Sequence, residues 1–65
     1  MKTEEVQNCM RQLMEAERLL DAERRGDARA IITHVRAELA AAGDELTATV
    51  SLTWLFLEGL ERRVT

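Results

Sequence analysis

The most reactive side chains of this 65-residue sequence are its only thiol, Cys9, and its only imidazole, His34. A cysteine nucleophile needs a base and a positive environment that lowers the pKa of the thiol. The apolar spacing described below puts Cys9 and His34 on different predicted helices, with His34 at the flank of its stripe. The pattern therefore favours Cys9 as a small buried or interface residue over Cys9 as a nucleophile.

His34 and Glu38 are four residues apart, so on a helix they share one face. Two ligands at this spacing can bind one metal ion, but a structural zinc site needs about four ligands. No cluster of cysteines and histidines supplies the others. We therefore predict no metal and no cofactor, and we interpret the two residues as a flank histidine with a weak glutamate partner.

The acidic residues Glu58 and Glu61 lie beside Arg62 and Arg63 near the end of the sequence. Two carboxylates can act as an acid and a base, but only in a pocket that a domain of this length can hardly enclose. The four charges fit the solvated end of a helix better. The sequence predicts a non-enzymatic protein with no catalytic residue.

The overall charge argues against a nucleic-acid partner. The net charge is -3 and the isoelectric point is near 5.0, whereas modules that bind duplexes normally carry a basic face and a high isoelectric point. A helix-turn-helix over residues 27–63 would expose Leu and Ala where polar side chains must read bases. One nucleic-acid-binding alternative remains: a helical-bundle dimer in which the arginines gather on one face.

The single cysteine excludes a disulfide within the chain and favours a reducing, cytoplasmic location. The charged start of the sequence predicts no signal peptide. The most apolar stretch, Leu46–Leu57, is too short to span a bilayer and contains several hydroxyl side chains. We therefore expect no association with membranes.

The fold class follows from a composition rich in Ala, Leu, Glu and Arg, without proline, which favours helix throughout. Two Gly-Asp pairs, at 26–27 and 43–44, combine a residue that ends helices with one that starts them. They divide a single domain, 1–65, into three predicted helices at about 3–25, 27–42 and 44–63. A single kinked helix over 3–42 remains an alternative to two helices, because the apolar stripes of its two parts are in phase.

The third predicted helix is apolar on nearly all sides, and such a helix is normally buried all round. Two amphipathic helices from a chain of this length readily cover one side of it. The uncovered side could be enclosed by an unusual wrap of the other helices, face a second copy, or bind another protein; we favour the second copy. The predicted interface consists of Ala48, Leu52, Trp54, Leu55, Phe56 and Gly59.

These features predict an all-α helical hairpin or three-helix unit, completed as a helical bundle by homodimerisation. The predicted function is that of a small protein-binding regulator, adaptor or inhibitor that works through apolar helix faces. The alternative is a structural or co-chaperone subunit of a larger assembly. By size and class alone, such chains are similar to secretion co-chaperones, antitoxins and inhibitors carried by phages and plasmids.

Overall fold

The computed structural model describes residues 2–42 and 48–65 of the chain. These residues form three α-helices: α1 (Thr3–Asp21), α2 (Arg25–Ala41) and α3 (Ala48–Val64). No strand occurs among them. The all-α prediction is therefore confirmed, and the fold is a compact three-helix unit.

The break between α1 and α2 does not lie at Gly26, as the sequence analysis predicted. Helix α1 ends at Asp21, and Glu23 takes the left-handed conformation with φ of 62°. The amide of Glu23 donates to the carbonyl of Leu20 at 3.0 Å, and that of Arg24 donates to the carbonyl of Leu19 at 2.8 Å. These two bonds form a Schellman motif, which satisfies carbonyls at the end of α1. The single helix over 3–42 is thereby excluded.

The predicted role of the first Gly-Asp pair is wrong for the same reason. Gly26 lies inside the first turn of α2, which begins at Arg25. Asp27 does not cap this helix with its side chain; its carboxylate pairs with Arg24 at 2.6 Å. The second pair, at 43–44, and the predicted start of the third helix at 44 lie outside the described residues.

The direction of each helix follows from contacts between their ends. Asp21 accepts a hydrogen bond from Arg63 at 2.7 Å, which brings the last turns of α1 and α3 together. Cys9, in the first half of α1, contacts Glu38, in the last turn of α2. Helices α1 and α3 are therefore parallel, and α2 runs antiparallel to both.

The core is built from residues at helical spacing on one face of each helix. Each helix contributes at least four buried side chains, and the largest fully buried ones include a leucine from every helix. The main cluster contains Cys9, Leu13, Ala16, Leu19, Ala28, Ile32, Val35, Leu39, Leu57, Leu60 and Val64. This packing leaves the opposite face of each helix at the surface.

Candidate protein-binding surface

Helix α3 has one buried and one exposed apolar face. The buried face, Val50, Thr53, Leu57, Leu60 and Val64, packs on the other two helices. On the opposite side, Leu52 is 61% exposed and Leu55 is 64% exposed. Ala48 and Gly59 are exposed on the same side. The face that the sequence analysis singled out is thus at the surface, and its role as an interface stays a prediction.

Thr53 is the one polar side chain among the buried residues that the structure describes. Its hydroxyl donates to the carbonyl of Thr49 at 2.8 Å, one turn earlier in α3. A buried hydroxyl without a partner would be costly, and this local bond removes that cost. This bond lets a threonine occupy the centre of the buried face of α3 without leaving an unsatisfied hydroxyl in the core.

Two residues of the predicted interface, Trp54 and Phe56, are half-buried and pack against the core cluster. The guanidinium of Arg36 lies 5.6 Å from the centre of the Trp54 ring. Arg36 also pairs with Glu61 at 2.7 Å, so it bridges α2 and α3. Trp54 therefore lies on the α2 side of α3, where its ring contacts its own chain.

A third exposed apolar side chain, Met14, belongs to α1 and is 57% exposed. A methionine on an amphipathic helix commonly fills gaps in a core, but the side chain of Met14 lies at the surface. At 100° per residue, Met14 lies far from the centre of the buried stripe of α1, so the helical period itself places this side chain at the surface.

The Asp21–Arg63 pair relates the position of Met14 along α1 to that of residues on α3. Met14 precedes Asp21 by seven residues, as Phe56 precedes Arg63. Seven residues turn a helix through nearly two full turns. Since Asp21 and Arg63 are paired and the helices are parallel, Met14 and Phe56 lie at one level of the α1–α3 groove. We call the combined surface the apolar patch; it comprises Met14, Ala48, Leu52, Leu55, Phe56 and Gly59.

The described ion pairs do not gather arginines on one face. Four arginines are each paired with an acidic side chain, two of them within their own helix or its N-terminal flank and two between helices. These four are Arg18, Arg24, Arg36 and Arg63. Whether the arginines gather on one face of a dimer, as the nucleic-acid-binding alternative requires, stays a prediction.

Cys9, Glu38 and His34 lie together where α1 meets α2. The Cys9 thiol is fully buried and donates to Oε2 of Glu38 at 3.5 Å, while Oε1 of Glu38 pairs with Nε2 of His34. Burial, reinforced by the hydrogen bond to Glu38, raises the pKa of Cys9 to about 11. A nucleophile needs the opposite shift, so this geometry fits a structural thiol.

We expect Cys9 to resist thiol reagents in the folded protein near pH 8 and to react on unfolding. The folded-state pKa of about 11 lies above the ordinary value of 9.0, so this group stabilises the fold below pH 9 and ceases to do so as the pH rises through 11. Labelling with a chromogenic disulfide, with and without urea, tests this expectation. Leu55→Cys provides an exposed thiol as the control, and equal labelling rates would contradict the prediction.

The described residues, 2–42 and 48–65, contain no group of three or more His, Cys, Asp and Glu side chains placed to hold a metal ion. None of their helices is long and apolar enough to cross a bilayer.

Comparisons with known proteins add no relative. No protein-family model matches the chain, and neither the curated proteins nor the solved structures include a match. The function has to be argued from the surface itself.

Proposed function

We propose that this chain is a small non-enzymatic protein-binding module, a regulator, adaptor or inhibitor, that works through the apolar patch. One observation carries the proposal: among the residues that the structure describes, three large apolar side chains are exposed, Leu52 and Leu55 on one face of α3 and Met14 on α1. Scattered exposed leucines need no explanation, but a contiguous group is characteristic of contact surfaces. A methionine at its edge adds a side chain that adapts to different partners.

We further propose that the patch joins two copies of the chain into a homodimer. Completely burying a side chain of this size contributes about 1.5–3 kcal/mol. Covering the exposed parts of Met14, Leu52 and Leu55 in both copies then yields roughly 5–11 kcal/mol on that scale, against an association cost of about 4–15 kcal/mol. The gain and the cost are of similar size, so any dimer should be weak and concentration-dependent.

The alternative is a structural or co-chaperone subunit that covers the patch with a different protein. The two proposals differ in how the isolated chain behaves. A self-sufficient regulator stays folded and soluble alone, whereas an obligate subunit aggregates until its partner is co-expressed. With a single buried thiol, we place either form in a reducing compartment such as the cytoplasm.

The test compares the substitutions Leu55→Asp and Arg29→Asp. Both residues are exposed, and both are replaced by aspartate. We expect Leu55→Asp to abolish self-association and Arg29→Asp to leave it nearly unchanged, because only the first puts a charge into the apolar patch. Sedimentation equilibrium at several micromolar concentrations measures the effect.

Two results would count against the proposal. Equal association of both variants would move the interface away from the patch. If the native chain sediments as a monomer throughout, and if wild type and Leu55→Asp capture the same proteins from a host lysate, the patch has no binding role.

A further inference from the structure

We draw no further inference here: the strongest candidate, the exposed apolar face of α3 that carries Leu52 and Leu55, adds nothing to the proposed function because nothing in the structure shows what covers it.

Discussion

Leu57→Ala should unfold much of the protein under conditions where Leu52→Ala leaves it folded. Both leucines lie in α3, but Leu57 is fully buried and Leu52 is 61% exposed. Removing a buried leucine costs about 3–5 kcal/mol, because apolar area is lost and a cavity remains. The free energy of unfolding for a chain of 65 residues is only about 3–10 kcal/mol in total. The truncation of a single core side chain can therefore remove most of the free energy of unfolding.

Urea unfolding followed by circular dichroism measures both variants. The experiment belongs at a concentration where the chain is monomeric, so that loss of a dimer contact at Leu52 does not contribute. We expect Leu52→Ala to change the free energy of unfolding by about 0.5 kcal/mol or less, as at most surface sites. Comparable losses for the two variants would show that the patch side of α3 is covered within the chain.

The contrast between these leucines is also what the sequence could predict best. The helical period assigns Val50, Thr53 and Leu57 to one face of α3 and Leu52 and Leu55 to the other. Two amphipathic helices can cover only one of these faces, and the structure leaves the second one exposed. The helical period and the length of the chain were therefore sufficient to predict which face of α3 is exposed.

The end of α1 could not be predicted in the same way. Glycine is the residue expected in the left-handed position after a helix, yet Glu23 occupies it and Gly26 lies three residues further on. The backbone bonds of Glu23 and Arg24 to the last turn of α1 stabilise this conformation. The preference for glycine in the left-handed position is thus not followed at the end of α1.

The placement of Met14 and Trp54 relative to the other helices depends on the register between the helices. The periodic pattern of a single helix does not contain this information. The position of Met14 relative to α3 depends on the register of the two helices, which the Asp21–Arg63 pair reports. Trp54 contacts α2, because the guanidinium of Arg36 lies over its ring, and its role in the predicted interface stays a prediction. In both cases the decisive contact comes from another helix, so the sequence of one helix could not reveal it.

The close packing of the core leads to a second large effect, expected for Ala28→Leu. Ala28 in α2 is fully buried and belongs to the main core cluster. A leucine there adds volume to a fully buried site, which typically costs about 1–3 kcal/mol through displaced side chains and backbone. For a domain of this size, each kcal/mol lowers the melting temperature by about 4–8 °C.

Ala30→Leu is the control, because Ala30 is exposed in the same helix and leucine is nearly as good a helix former as alanine. We expect its melting temperature to change little, while Ala28→Leu melts well below wild type in calorimetry. If Ala28→Leu melts like wild type, α2 can move away from the core at little cost. In that case the three helices would pack less tightly than we expect. Since the exposure of the apolar patch depends on this packing, it would have to be measured in the variant.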